Sequence, residues 1–339
     1  VALPSLVVLY YFDVFSFTSL LRLLVVYYGL LITCYFLYIR KLDNFKPILS
    51  LSKFRSHLPL KEIVSFGLFS FLGGFGAMLM NQIDIQMIAP YLGSYDTGLY
   101  SWSLFVANSL AIPFTMLARI STPLISRYWD IEDRKGLLKL YSQSSRSLVV
   151  LSVGLLSCIS IGIDDLFLIM PKGNEYALAK WTVIMLCVAK VIDMSLGLNS
   201  QILAMSKSYR YMLLFIGVSG VCNVGLNALL IPKHGIEGSA FATILSVILF
   251  NLLKFVFLKK RYALFPKSLR ALWVLPLGGI LIVVMKNLPH FSSGIINIAV
   301  FSGTSFFFYF LVAYKFKLAP ELNDFLNKQL VRLNLKPLD

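Results

Sequence analysis

Tyr211 to Leu253 reads YMLLFIGVSGVCNVGLNALLIPKHGIEGSAFATILSVILFNLL. Its first part, through Pro232, holds no charged residue and matches the ~20 apolar residues a helix needs to cross the hydrocarbon of a bilayer. Lys233 and Glu237 mark a short polar break, after which Gly238 to Leu253 is uncharged again. Two such runs around a Pro- and Gly-containing break read as an antiparallel pair of membrane helices, because lipid offers no partners for backbone N–H and C=O groups.

The same pattern extends in both directions. Uncharged runs lie at Leu23 to Ile39, Ile63 to Ile83, Thr97 to Ala118, Ser147 to Ile163, Ala271 to Met285 and Asn287 to Tyr314, and Trp181 to Ser206 is interrupted only by Lys190 and Asp193. The reading is nine membrane-crossing helices in an all-α polytopic bundle. Composition agrees: of 339 residues 58% are apolar and only 14% charged, with mean hydropathy +0.78, too few charges to cover a soluble surface. Val1 to Phe12 is apolar but would reach only about 18 Å as a helix, and reads as the cut end of one.

Charge gives the orientation. Segments 40–61, 127–146, 205–210, 259–270 and the tail after Tyr314 hold 23 of the 31 Lys and Arg, whereas the alternate segments hold only Lys172, Lys180, Lys233 and Lys286. Cytoplasmic loops retain positive charge, so the C-terminus is expected in the cytoplasm. The net charge of +15 is thus insertion bias, and no nucleic-acid partner is expected. Cys34, Cys158, Cys187 and Cys222 fall inside spans without paired spacing and read as small apolar residues.

Along the chain, 1–39 reads as the end of a first transmembrane lobe, 40–61 as a basic loop between lobes, and 62–260 as a six-helix lobe. Residues 271–314 add two helices, and 315–339 form a cytoplasmic tail. Within the tail, Leu322, Phe325, Leu326, Leu330 and Leu333 fall near one helical face, as in a helix lying at a membrane surface.

No phosphate loop, histidine pair at helical spacing or CxxC is present, so no cofactor, metal or enzymatic activity is expected. Ser50 to Lys53 matches Ser-x-x-Lys by chance. The adjacent Asp164 and Asp165 could serve a membrane glycosyltransferase or polymerase, but their outer position with short loops fits a solvated helix end better. More informative are polar residues inside spans, since a mid-bilayer charge costs at least ~2.5–3.5 kcal/mol unless it meets a cavity or partner. Asn81 and Asp84 continue a face of small residues with Ser70, Gly73 and Ala77. Lys190 and Asp193, three apart, either neutralise each other or line a wet pathway. Arg119 shares a stripe with Ser101, Asn108 and Thr115 and could receive a phosphate or snorkel to the surface, as Lys254 would. Arg22 lies near an outer helix end. Asn223 and Asn227 repeat at four with Ser219, for which hydrogen bonding between helices is the simplest use. One polar stripe per helix, with isolated cations, implies a hydrated cavity for an anionic or sugar-bearing cargo.

Two segments resemble a known family. MNQIDIQMIAPYLGSYDTGLYS, Met80 to Ser101, is similar to the signature of polysaccharide flippases, a polar-x-Asp step, Leu-Gly, then Gly-x-Tyr. LNALLIPKHGIEGSAFATILS, Leu226 to Ser246, resembles their Asn-x-x-Leu-Ile-Pro and Gly-x-x-Gly-x-Ala-x-Ala-Thr hairpin. There Pro232 would end a helix, and Gly235 and Gly238 would allow the turn. The resemblance covers most of Lys61 to Lys260, within the superfamily of multidrug extruders and the lipid II flippase.

It implies two six-helix lobes rocking about a central cavity. The cargo would be undecaprenyl-pyrophosphate-linked oligosaccharide units, flipped across the bacterial inner membrane for O-antigen, capsule or exopolysaccharide synthesis. The implied partners are that lipid-linked oligosaccharide, membrane lipids, a coupling monovalent cation or proton, and a polysaccharide polymerase. The expected pathway residues are Arg119, Lys190, Asp193, Asp84, Asn81, Arg22, Asn223 and Asn227. A cation-coupled drug extruder of the same fold, or the glycosyltransferase, is the alternative.

Overall fold

The computed structural model describes residues 17–43, 60–266, 271, 273–288, 291 and 294–332. These contain helices and no strand: α1 (Phe17–Asp43), α2 (Leu60–Leu110), α3 (Ile112–Asp130), α4 (Arg134–Ile169), the short α5 (Gly173–Ala177), α6 (Lys180–Ser195) and α7 (Asn199–Ala204). After them come α8 (Arg210–Tyr262), α9 (Val274–Lys286), α10 (Gly294–Asn297), a π-turn at Ile298–Ser302, α11 (Gly303–Lys315) and α12 (Pro320–Arg332). Two compact units result, Val1–Ser65 and Phe66–Asp339. Residues 1–16, the loop 44–59 with its Ser-x-x-Lys match, and Leu333 fall outside the described residues.

At 53 residues α8 would be about 80 Å long if straight, against ~30 Å of hydrocarbon. It is broken at Gly235 (φ 57, ψ −141), a left-handed conformation that glycine adopts without a Cβ clash. The 51-residue α2 is broken likewise at Gly93 (φ 85, ψ −176). Both prolines of these hairpins, Pro90 and Pro232, lie inside helix. Pro232 therefore does not end the helix as its resemblance implied; the reversal comes three residues later, where only glycine tolerates the backbone. Gly238 has a different reason: a Cβ there would collide with the Leu230 carbonyl.

Length and apolarity alone pick out four described helices able to cross a membrane, with a bent pair across Leu110 and Ile112 as a fifth. The nine expected spans exceed this because α8 carries two of them about its break, the part of α2 before Gln82 that holds Ile63 to Ile83 is not among those picked out, and α6 with α7 and the 13-residue α9 are too short or interrupted to qualify.

In the first unit, the described side chains of α1 are exposed or half-buried, Val25, Ile32 and Tyr35 among the exposed ones. In the second, α4 is the helix on which most others pack, α3, α5, α6, α9, α10, α11 and α12 among them, and α6 packs against both α4 and α8. Its core joins Leu148, Val149 and Val153 of α4, Leu186, Cys187 and Val191 of α6, and Ala240 of α8. Close approach relies on glycine: a Cβ on Gly278 of α9 would meet Val153 Cγ1 at 2.7 Å, and one on Gly154 of α4 would meet the Tyr309 ring at 2.8 Å. Small residues at contacts are how membrane helices gain dispersion energy where lipid removes the hydrophobic drive.

In the tail, α12 forms a helix over Pro320–Arg332. Leu322 packs on the core, Arg146 of α4 pairs with Glu321, and Tyr314 donates to Asn327 Oδ1 at 2.8 Å.

Candidate functional site

A cavity of about 290 Å³ in the second unit is lined by Asp84, Lys190, Asp193, Asn223 and Thr243 among others, with Phe250 and Leu186 as apolar wall. Four of the residues expected from sequence therefore meet in one place. They arrive there by register. Asp84 and Tyr100 flank the break at Gly93 by nine and seven residues, and Asn227 and Thr243 each lie eight from Gly235. At ~1.5 Å per residue both pairs sit about 12 Å from their reversals, at matched depth.

There, Asp84 is buried at 3% exposure and accepts three hydrogen bonds: from Tyr100 Oη at 2.9 Å, Thr243 Oγ1 at 2.7 Å and Asn227 Nδ2 at 2.7 Å. Asn227 also donates to Asn223 Oδ1 at 3.0 Å, so the four-residue repeat serves bonds within its own limb as well as between helices. Every donor to the carboxylate is neutral, and among the described residues it forms no ion pair.

The second group surrounds Asp193. Its Oδ1 accepts from Asn251 Nδ2 at 2.9 Å and lies 4.0 Å from Lys254 Nζ. Lys254 is fully buried, donating to Asn199 Oδ1 at 3.2 Å and Ser200 Oγ at 2.8 Å, with its ammonium 3.9 Å from the Phe250 ring centre. Asn199 in turn donates to Asn251 Oδ1 at 3.1 Å. Asn199 and Ser200 are presented by the gap between α6 and α7, where Gly197 is left-handed (φ 59) and Ser145 Oγ donates to the Ser195 carbonyl at 2.6 Å. Two expectations change. Lys254 does not snorkel, since polar groups of α7 meet it inside the protein. Lys190 and Asp193 do not neutralise each other: among the described residues Lys190 forms no hydrogen bond or ion pair.

The other expected residues lie elsewhere. Arg119 on α3 is exposed and is not among the residues lining this cavity, and Arg22 is exposed on α1 of the first unit. Asn81 lies in α2, one turn before Asp84. At the far end of α4, Asp164 pairs with Lys180 at 2.5 Å and Lys286 at 3.2 Å, while the buried Asp165 accepts from Asn297 Nδ2 at 2.7 Å. Asp164 keeps the exposed position expected of a helix end while Asp165 is buried, and through these bonds the two acids tie α4 to the start of α6 and the ends of α9 and α10.

Asp84 and Tyr100 come from one flippase-like segment and Asn227 and Thr243 from the other, so the two segments converge on one buried carboxylate. Independently, residues 5–165 match a family described as polysaccharide biosynthesis protein. The chain resembles the polysaccharide-biosynthesis flippases. A curated relative, the probable flippase AglR of the archaeon Haloferax volcanii, is 22% identical over 197 residues, 57% of this chain and 40% of that protein. The match thus spans about two-fifths of the relative's length. In the flippase-like chain, the sequence signal that would have found Tyr100 and Thr243 is their similar spacing, seven and eight residues, from the breaking glycines. Lys254, Asn251, Asn199 and Ser200 carry no such local signal.

Proposed function

We propose that the native protein is a transporter, with no enzymatic step, that flips lipid-linked oligosaccharide units across a membrane for surface polysaccharide assembly. The two-lobe alternating-access mechanism of the resembled family fits, the cavity of the second unit being this chain's share of the path. The observation carrying the reading is the convergence of both flippase-like segments on Asp84, in the wall of a cavity that also contains Lys190 and Asp193.

A pyrophosphate-linked undecaprenyl carrier and the bacterial inner membrane are the finer form of the proposal, with the C-terminus cytoplasmic by the distribution of Lys and Arg. The ammonium of Lys190 is suited to the anionic end of such a cargo, as charge-assisted bonds to phosphate are about twice as strong as neutral ones. The carboxylates of Asp84 and Asp193 suit a coupling proton or monovalent cation, and membrane lipids and a polymerase are the other partners proposed. The glycosyltransferase alternative loses support because Asp164 and Asp165 are occupied in holding helices together.

The test is complementation of a deletion strain, reading surface polysaccharide. The native protein restores it, and Lys190→Ala lowers export about tenfold, the loss expected for one charge-assisted contact. Surface polysaccharide unaffected by the deletion, with altered drug susceptibility instead, would move the assignment to a drug extruder.

A further inference from the structure

We infer that Lys254 is a positioning residue that holds the Asp193 carboxylate away from Lys190, and so keeps the Lys190 ammonium free in the cavity for a phosphate-bearing anion. The inference rests on the transporter reading for the identity of its anion, but its geometry stands alone.

Residues three apart on a helix are neighbours, so an opposite-charge pair at that spacing is within reach of closing. Here it does not close. Asp193 is turned toward Asn251 and Lys254 of α8, and Lys190 lines the cavity without an ion pair among the described residues. The alternative partner is fixed on every side. Lys254 is completely buried, held by Asn199 and Ser200 and stacked against Phe250, and Asn199 and Asn251 bond to each other. A buried ammonium needs its counter-ion more than a partly exposed one does, because desolvation penalises the uncompensated charge. The carboxylate is therefore claimed by Lys254, and the half-buried Lys190 is left to whatever anion enters. Without Lys254 the nearest cation for Asp193 is one turn away on its own helix, and Lys190 would be neutralised.

The experiment measures inorganic pyrophosphate binding by calorimetry to the purified native protein in lipid nanodiscs, on monodisperse fractions only. Lys190→Met and Lys254→Met are each expected to weaken binding about tenfold. The double variant K190M/K254M is expected to be no weaker than either alone, because both remove the same contact. Asp193→Asn added to Lys254→Met is expected to restore binding, since Lys190 then has no carboxylate to pair with. That variant also lacks both charges of the buried pair, so it keeps the test available if Lys254→Met alone fails to fold. A merely structural role for Lys254 would give additive losses with Lys190→Met. Wild-type affinity in Lys254→Met, additive losses, or no recovery with Asp193→Asn would each overturn the inference. Recovery of pyrophosphate binding in a protein that exports no polysaccharide would leave it standing and refute the transport reading instead.

Discussion

Replacing Asp84 separates the shape of its site from its charge. Asp84→Leu removes the acceptor shared by Tyr100, Thr243 and Asn227 and with it three hydrogen bonds, Thr243 keeping a second acceptor in the Ser239 carbonyl at 3.1 Å and Asn227 its bond to Asn223. Hydrogen bonds between membrane helices are worth about 0.6–1.7 kcal/mol each, so the loss comes to roughly 2–5 kcal/mol, a large part of a typical folding stability of ~5–15 kcal/mol. Asp84→Asn is different. Its Oδ1 still accepts from Asn227, and its amide can donate to the Tyr100 and Thr243 hydroxyls, which rotate to accept. Three charge-assisted bonds become neutral ones, but a buried carboxylate without an ion pair among the described residues disappears, and these changes oppose each other. Asp84→Asn is expected within about 1 kcal/mol of the wild type. Thermal unfolding in lipid nanodiscs, followed by the monodisperse fraction remaining, measures both. Equal destabilisation by Leu and Asn would show that the charge rather than the acceptor geometry holds the site, and no destabilisation by Leu would refute the hydrogen-bond account altogether.

Further outcomes follow from the packing. Gly278→Leu forces a side chain into Val153 and Ser157 of α4 and should destabilise by ~1–3 kcal/mol, seen as a lower melting temperature. Gly197→Ala combines a left-handed backbone with contacts of 2.7 Å to Ser144 Oγ and the Ser145 nitrogen, and should cost at least ~1–2 kcal/mol by the same assay. Glu321→Ala should shift global stability by less than ~1 kcal/mol yet speed limited proteolysis within α12, whose bridge to Arg146 it removes.

The sequence made the helical bundle legible because hydrocarbon imposes long uncharged runs, and it made Asp84, Asn223 and Asn227 legible because polar groups in such runs require partners. Their meeting was not read, although the spacing of Asp84 and Tyr100 about Gly93, and of Asn227 and Thr243 about Gly235, contains it. The choice Asp193 makes was hidden for a different reason. Lys190 is its neighbour in sequence, while Lys254 lies 61 positions away and becomes the stronger claimant only once folding buries it completely. Lys254 five residues before Lys259 looks like a side chain reaching for the surface until the gap at Gly197 brings Asn199 and Ser200 to it.

Reconstitution tests the central claim most directly. In proteoliposomes carrying the native protein and a fluorescent undecaprenyl-pyrophosphate oligosaccharide, protein-dependent transfer between leaflets is expected, slowed about tenfold by Lys190→Ala and by Asp84→Asn, both stably folded. Transfer no faster than in empty liposomes, or undiminished in both variants, would contradict a transport path through this cavity.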